Sequence, residues 1–364
     1  MKLGFDARML FGKWRHRGIG GYIKSLLKPL DQNNIISFVP KSQKIEDYKC
    51  NNIGISFFPI WEQFLLPFYI YKNNLSYFLF PSITAPVFNF KKVKKIFVVY
   101  DLIFLIPFNK LLPSKSIYNN LGRIYRRFIF PFSLNSSNYI ITISKYTKSE
   151  LNKKFSIPLQ NIYVIPCSIT NDWFVTDLIP SINRKKYFIS VTGDAPSKNL
   201  YNLLLCFSSL KKDNLLRNFK LRLVGIHKNS KSRIQKMINL LDIENDVIIE
   251  DFLSKSNLQD LYRNAWASLT ISLFEGFGVP VIESMASGTP VVCSNTTSLP
   301  EVAGGCAFLV DPSSINEIRE AIVHIMNLDD ETRSKISLNG YNNAKIYSES
   351  NVSKIIHEFW NQVK

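Results

Sequence analysis

From Tyr187 onward, short apolar runs alternate with helical stretches, and this rhythm leaves few folds open. Strands are expected at 187–191, 220–224, 247–249, 267–271 and 290–293. Helices are expected among them at 199–210, 256–263, 279–285 and 315–326. The strand candidates are almost continuously apolar, as parallel strands covered on both faces are. Such strands alternating with helices predict a doubly wound α/β domain.

The first half repeats the pattern less plainly. An apolar run at 2–5 is followed by the glycine-rich Gly18-Ile-Gly20-Gly21, read as a loop, and a helical pattern over 22–30. A strand, a glycine loop and a helix in that order bring backbone amides to a phosphate. Further runs at 96–99 and 139–143 end in polar residues, at Asp101 and at Ser144-Lys145. Ligands of open parallel sheets gather at such carboxyl ends, although Ser144 is expected chiefly to cap the next helix. Pro, Ser, Thr and Asn cluster over 166–181, where periodicity lapses. Two domains follow, 1–170 and 171–345, which suits 364 residues. A terminal segment, 346–364, holds an amphipathic helix with Val352, Ile355, Ile356, Phe359 and Trp360 on one side.

Charge separates the halves. Residues 1–170 carry 24 Lys or Arg and 7 acids, whereas residues 171–364 carry 21 of each. The whole net charge of +17 therefore lies in the first half, and an anionic partner is expected there. Arg123, Arg126 and Arg127 share a helical face beside Tyr125, Phe128 and Phe130. That helix suits an anionic membrane surface presenting an acceptor, or is simply solvated. Lys91, Lys92, Lys94 and Lys95 add to the basic region. No nucleic-acid motif accompanies it, so nucleic acid is not an expected partner. Five widely spaced cysteines lack a CxxC pair, which argues against a disulfide framework or a zinc site. Asp6 and Arg8 interrupt any signal-peptide core, and the greasy stretch 64–81 is too broken to span a bilayer. A cytoplasmic protein, peripheral on the inner face of the membrane, is the expectation.

The densest signal is Ser272-Leu-Phe-Glu275-Gly-Phe-Gly-Val-Pro-Val-Ile-Glu283-Ser-Met-Ala-Ser-Gly-Thr-Pro-Val-Val. Gly276-Phe277-Gly278 makes a tight turn, and Pro280 sits at the start of the helix that follows. Unpaired amides at that helix start suit a diphosphate or a sugar hydroxyl. Glu275 on the turn and Glu283 on the helix are placed to converge on one ligand.

This segment resembles the Glu-x7-Glu motif of retaining family 4 glycosyltransferases. The likeness continues through Ser287-Gly-Thr-Pro, Ser298-Leu-Pro-Glu301, Leu309-Val-Asp-Pro312, Asp251-Phe-Leu-Ser and Leu258-x-x-Leu-Tyr-x-x-Ala, and covers 187–312. It implies the GT-B fold, two facing Rossmann-like domains with parallel sheets. It also implies that Glu275 and the backbone of Gly276, Phe277, Gly278 and Val279 contact donor sugar and phosphate. Glu283 then binds ribose hydroxyls, each a charge-assisted bond to a carboxylate, and the base lies at Phe252-Leu253. Gly193-Asp-Ala-Pro-Ser-Lys198-Asn199 resembles the family turn whose lysine neutralises the donor diphosphate, with Ser197 where relatives often carry Arg. No Asp-x-Asp motif is present, so Lys198 and helix N-termini are expected to act without a metal. No cofactor is expected beyond the nucleoside-diphosphate sugar as co-substrate.

In the first half the likeness is thinner. Asp6-Ala-Arg8 and Gly18-Ile-Gly20-Gly21 resemble the family opening, where glycines approach the diphosphate. Val98-Val-Tyr100-Asp101 resembles a strand end that usually reads His-Asp. Tyr100 either offers its hydroxyl near the sugar or is a buried structural ring. The implied reaction is transfer of a hexose or deoxyhexose, first GDP-mannose, to a glycan or polyprenyl-linked acceptor in surface polysaccharide (O-antigen or capsule) synthesis. Retention is thought to come from front-face attack, the leaving phosphate assisting deprotonation of the acceptor. Mannosyl- and rhamnosyltransferases of O-antigen pathways are the nearest likeness. A non-catalytic sugar-nucleotide-binding scaffold of a synthase complex stands as the alternative, supported by Tyr100. A dehydrogenase is disfavoured, because the glycine segment lacks the third glycine of the dinucleotide fingerprint.

Overall fold

A computed structural model of the chain describes residues 2–11, 18–40, 45, 47–54, 57–88, 90, 92–109, 117–177, 183–216, 218–251 and 253–363. The chain folds into two compact units. The first comprises Met1–Ile106, Lys115–Cys167 and Val352–Lys364, and the second is built on Ser168–Asn351.

The first unit is a parallel sheet of seven strands: β1 (Leu3–Asp6), β2 (Ile35–Pro40), β3 (Lys49–Ile53), β4 (Tyr77–Phe80), β5 (Lys94–Val99), β6 (Tyr139–Thr142) and β7 (Ile162–Val164). Their spatial order is β3-β2-β1-β4-β5-β6-β7. The second unit holds six: β8 (Tyr187–Val191), β9 (Lys220–Val224), β10 (Val247–Ile249), β11 (Ala267–Thr270), β12 (Val291–Ser294) and β13 (Phe308–Val310), in the order β10-β9-β8-β11-β12-β13. All these pairings are parallel. Both orders grow outward from the first strand in one direction and then reverse. The reversal opens a crevice at the carboxyl ends of the two strands that flank it, β1 and β4 in one unit, β8 and β11 in the other. Both units are therefore Rossmann-like, as the apolar rhythm predicts.

Each sheet is buried on both faces. Strands β1, β2, β11 and β12 are buried at every position. One core joins Phe38, Phe78, Phe97 and Phe130 in the first unit, and another joins Phe188, Leu223, Leu269 and Ile322 in the second. The cysteines Cys50, Cys167, Cys206, Cys293 and Cys306 are free.

Three readings of the first half need correction. Gly18-Ile-Gly20-Gly21 is the first turn of the helix Gly18–Leu27, not a loop before it. Glycine is a poor helix former, but Tyr22, Ile23, Leu26 and Leu27 are buried and their packing carries the helix. Lys95 is not a surface cation. Its ammonium is buried beneath the ring of Phe90 and donates to Pro86 O at 2.7 Å and Ser136 Oγ at 2.8 Å. Burial without a carboxylate holds its pKa down at about 7. The basic helix expected around 124–132 runs Ile117–Asn135, with Pro131 inside it. Lys91 and Phe252 lie outside the described residues.

The last helix, Glu349–Val363, buries the expected side: Val352, Ile356, Phe359 and Trp360. Trp360 Nε1 donates to Leu26 O at 2.7 Å, Tyr77 donates its hydroxyl to Val363 O at 2.7 Å, and Phe359 meets Tyr163 edge to face. Chain from the far end of the sequence thus completes the packing of the first unit. Among the described residues, no helix is long and apolar enough to cross a membrane.

Candidate functional site

The crevice of the second sheet is flanked by the segments that follow β8 and β11. After β8 the chain passes Gly193 and makes a tight turn over Pro196–Lys198, and Asn199 in the left-handed region (φ 56°) starts the helix Leu200–Lys212. After β11 comes Ser272–Glu275 and then the turn into the helix Val279–Ala286. The two segments are pinned together where Leu273 N donates to Ser197 O at 2.8 Å. This juxtaposition brings Lys198 to Glu275: Nζ meets Oε1 at 2.6 Å, and Ser272 Oγ donates to the same oxygen at 2.7 Å. Both side chains remain partly open, Lys198 at 30% and Glu275 at 14% exposure. An ammonium has three donors, and Glu275 takes one. Two are left for phosphate oxygens, while Glu275 Oε2 is left for a hydroxyl.

The turn itself is braced from behind. Ser298 Oγ donates to Phe277 O at 2.7 Å and to Glu275 O at 3.0 Å, and Glu275 N donates to Thr297 Oγ1 at 3.2 Å. Gly278 sits at φ 122°, and a Cβ there would come within 2.6 Å of Leu299 Cδ2. Glycine is therefore obligatory at this point. Pro280 opens the helix, and no side chain caps its amides. Pro280 itself has no N–H, and Val281 N donates to Gly278 O at 2.9 Å.

Glu283 is set apart from this group. Its described partner is Tyr262, whose hydroxyl lies 3.5 Å from Oε2, and among the described residues no hydrogen bond joins it to Glu275. Burial pushes its pKa up to about 8, against the weaker pull of Tyr262 and of the Lys255 charge. Asn199 is a framework residue as well as a candidate contact, since Nδ2 donates to Pro312 O at 2.6 Å. Leu253 is half-buried just before Ser254, which caps the helix Lys255–Asn264.

In the first unit, Tyr100 follows β5 and its ring is buried, packed edge to face on Tyr22 at 5.7 Å. Its hydroxyl is buried without a partner among the described residues, and burial raises its pKa well above the ordinary value. A buried orphan hydroxyl costs roughly 1–3 kcal/mol. Tyr100→Phe is accordingly expected to raise stability by about 1 kcal/mol, read as an increased denaturation midpoint with an unchanged m-value. A lower midpoint would show that the hydroxyl has a partner after all. Asp101 accepts from Ile103 N at 3.0 Å and shapes the turn after the strand. Ser144 caps the helix Lys145–Phe155 through Thr147 N, as expected. Gly20 is buried, whereas Gly21 is exposed with nothing within 4 Å of a Cβ placed there. Packing does not demand glycine at 21, and open space over a helix N-terminus admits a ligand.

Arg123 and Arg127 do not present their charges outward. Both donate to the carbonyls of Phe104 and Ile106, beside the short turn Ile103–Leu105. Those carbonyls need donors and the guanidinium forks supply them. Arg126 is half-buried, and the charge of Asp101 offsets part of the burial that lowers its pKa. The expectation of a basic outer face on this helix is therefore withdrawn.

One constellation was not anticipated. Beside β1, Arg8 binds Asp6 through Nε at 3.0 Å, lies 3.9 Å from Glu62 and stacks over Phe58 at 4.4 Å. Glu62 also accepts from Thr84 and Tyr125, and burial pushes its pKa up to about 7. Asp6 and Arg8 were legible as part of an opening motif. Glu62, in a run of aromatics, carried no signal.

The family comparison falls on the second unit. Residues 178–343 match the family model of glycosyl transferases, group 1. Over 227 residues the chain is 29% identical to O-antigen chain mannosyltransferase B of Escherichia coli, covering 60% of this chain and 59% of that one. Over 210 residues it is 28% identical to O-antigen chain mannosyltransferase RfbU of Salmonella typhimurium, covering 58% and 57%. The match thus spans somewhat over half the length of these curated relatives. Among solved structures, a glycosyltransferase from Rickettsia africae superposes with a TM-score of 0.70 at 17% identity, covering 99% of this chain and 97% of that one. Anabaena HepE in complex with UDP and glucose superposes at 0.71 with 14% identity, over 100% of both chains. At such identities the likeness is one of fold, and that fold is GT-B. The Lys198–Glu275 pair and the braced turn both lie inside the matched stretch 178–343.

Proposed function

We propose that the protein is a retaining glycosyltransferase that moves a hexose or deoxyhexose, mannose from GDP-mannose first, to a glycan or lipid-linked oligosaccharide acceptor in surface polysaccharide synthesis. The observation that carries the reading is the pairing of Lys198 with Glu275 at the crevice of the unit that matches the group 1 model. A leaving nucleoside diphosphate gains negative charge as the glycosidic bond breaks. A fixed ammonium favours that state over the ground state. Glu275 holds the ammonium in place and offers its second oxygen to the sugar. Positive charge then comes from the chain itself, without a resident metal or cofactor. The mannosyl choice leans on the O-antigen relatives, and the base and acceptor on the same likeness.

Glu283 makes the donor reading testable in two ways. A nucleotide sugar that binds only the folded protein raises its melting temperature by mass action. The shift is expected for one of the GDP-, UDP- or dTDP-sugars and is expected to vanish in Glu283→Ala. The second test is pH. Ribose hydroxyls favour the ionised carboxylate, so binding expels the proton that Glu283 holds below about pH 8. Affinity must then rise with pH up to that point and level off above it, by at most about tenfold per unit. Both phosphates of a nucleotide sugar stay ionised throughout, so the part of a calorimetric profile from pH 6 to 8.5 that Glu283→Gln abolishes reads Glu283. A flat profile would remove Glu283 from the ribose, and no shift with any nucleotide would remove the donor site. Transfer of labelled sugar in EDTA separates an enzyme from a non-catalytic scaffold.

A further inference from the structure

A dense polar cluster lies at the crevice of the first sheet, among aromatic rings. Asp6 ends β1 and Arg8 follows it, while Ser82 and Thr84 follow β4. These are the two strands whose carboxyl ends flank the reversal in strand order. Asp6, Glu62, Ser82 and Thr84 are buried, and Arg8 keeps 11% of its side chain open. Glu62 belongs to Trp61–Leu65, a π-helical turn, a rare element found mostly at functional sites. On this turn the neighbours Glu62 and Gln63 both reach the Tyr125 hydroxyl, at 2.9 Å and 3.0 Å.

The carboxyl oxygens of this cluster are answered, but several of its donors are not. Arg8 commits Nε and Nη2 to Asp6, at 3.0 Å and 2.5 Å. Glu62 Oε2 accepts from Thr84 Oγ1 at 2.8 Å, and Oε1 accepts from Tyr125 and from Gln63 Nε2, each at 2.9 Å. Arg8 Nη1, Trp61 Nε1 and Ser82 Oγ are buried and find no acceptor among the described residues. The guanidinium carbon of Arg8 stands 5.3 Å from the centre of the Trp61 ring, and Ser82 lies two residues before Thr84. A buried donor without an acceptor is costly, and each one in a folded protein calls for a physical reason.

A ligand that satisfies these donors must bring acceptor oxygens, and charge decides their kind. Asp6 already neutralises the guanidinium, and a phosphate or carboxylate on Nη1 would stand beside the carboxyl groups of Asp6 and Glu62. A cation would meet Arg8. A neutral polyol meets neither objection, since its hydroxyl and ring oxygens accept without bringing charge. The rings of Phe58 and Trp61, 4.4 Å and 5.3 Å from the guanidinium carbon, add the apolar walls that ligand pockets combine with a few fixed polar groups. We propose that Arg8 Nη1, Trp61 Nε1 and Ser82 Oγ bind a neutral sugar residue of the glycan acceptor. The sugar enters at the open edge of Arg8 and displaces the half-buried ring of Phe58 from the guanidinium. This assignment rests on the reading that the acceptor is a glycan, but it shares no residue with the donor site of Lys198, Glu275 and Glu283.

The test is nuclear magnetic resonance of the full chain with its five tryptophans labelled at the indole nitrogen. The signal lost in Trp61→Phe identifies the Trp61 N–H. Methyl mannoside, methyl glucoside and N-acetylglucosamine are added in turn to about 50 mM, enough to reveal a millimolar Kd. At least one is expected to move the Trp61 signal, while inorganic phosphate leaves it in place. Affinity is read independently by saturation transfer to the sugar protons. Ser82→Ala is expected to weaken the same saccharide by about three- to tenfold, the worth of one hydrogen bond. The melting temperature should not fall in this variant, because the hydroxyl has no partner in the free protein among the described residues. No movement with any of the three sugars, movement confined to other tryptophans, movement with phosphate, or unchanged affinity in Ser82→Ala each overturns the proposal. Nucleotide-sugar melting shifts on the same samples report on the donor reading separately. Their absence with saccharide binding kept removes the donor site alone, and the converse removes only this one.

Discussion

Lys198→Ala is expected to slow sugar transfer by about 100- to 1,000-fold, the loss typical of removing one preorganised donor to a developing negative charge. That corresponds to roughly 3–4 kcal/mol of transition-state stabilisation. The melting temperature should hardly move. Lys198 and Glu275 are both partly open to water, at 30% and 14% exposure, and ion pairs of that kind contribute about 0–1 kcal/mol to folding. Rate and stability therefore separate cleanly in this variant. Lys198→Arg keeps the charge but replaces a compact ammonium by a planar fork, so partial activity is expected. Equal loss of kcat and kcat/KM would place the lysine at the leaving group, whereas a raised KM alone would make it a ground-state contact. Unchanged turnover in Lys198→Ala would reduce the pair to an ordinary surface interaction.

The second large effect is structural. Arg184→Met is expected to destabilise the second unit by about 3 kcal/mol, through carbonyls left without donors in the interior. Arg184 precedes β8 and is buried. Its Nη2 donates to Gly288 O at 2.6 Å, and its Nη1 serves Ala265 O at 2.9 Å, Arg263 O at 3.1 Å and Thr289 Oγ1 at 3.3 Å. Burial without a carboxylate lowers its pKa to about 10. Two effects compete in the variant. Methionine removes the cost of a buried cation, which favours it. The carbonyls it abandons are backbone groups that no substitution removes, and several of them become orphans at once. The second effect wins, and a melting temperature lower by roughly 6–12 °C is expected for a unit of this size. An unchanged midpoint would mean that water enters and replaces the guanidinium.

The second half of the chain was more legible than the first. Strands β9 and β10 fall at the expected residues and β11 and β12 within one, because uninterrupted apolar runs between polar turns admit little else. Lys198 and Glu275 stood in recognisable turns, and the sheet order explains why turns so far apart in sequence meet. Of the brace, Ser298 stood in a quoted motif and Thr297 just before it did not, and its direction needed coordinates. In the first half, β3 reads Lys-Cys-Asn-Asn-Ile and lies at the sheet edge. Edge strands are kept polar, and polarity hides them from an apolar pattern. Local composition misled at Gly18–Gly21, where packing further along sustains a helix through glycines. It misled again at Lys95 and Arg123, whose long side chains reach buried carbonyls that only the fold brings near.

The position of the helix Glu349–Val363 bears on how the protein is made. Its tryptophan and the Val363 carbonyl are anchored to Leu26 and Tyr77, so the first unit needs residues that follow the second in the sequence. On the ribosome the second unit can assemble as soon as its own residues emerge, while the first sheet waits, partly uncovered, for this helix. Changes to this helix therefore act on the unit built from the first half of the chain. Loss of the last two helical turns would leave the surface around Leu26 and Tyr77 bare and the nascent protein prone to aggregate.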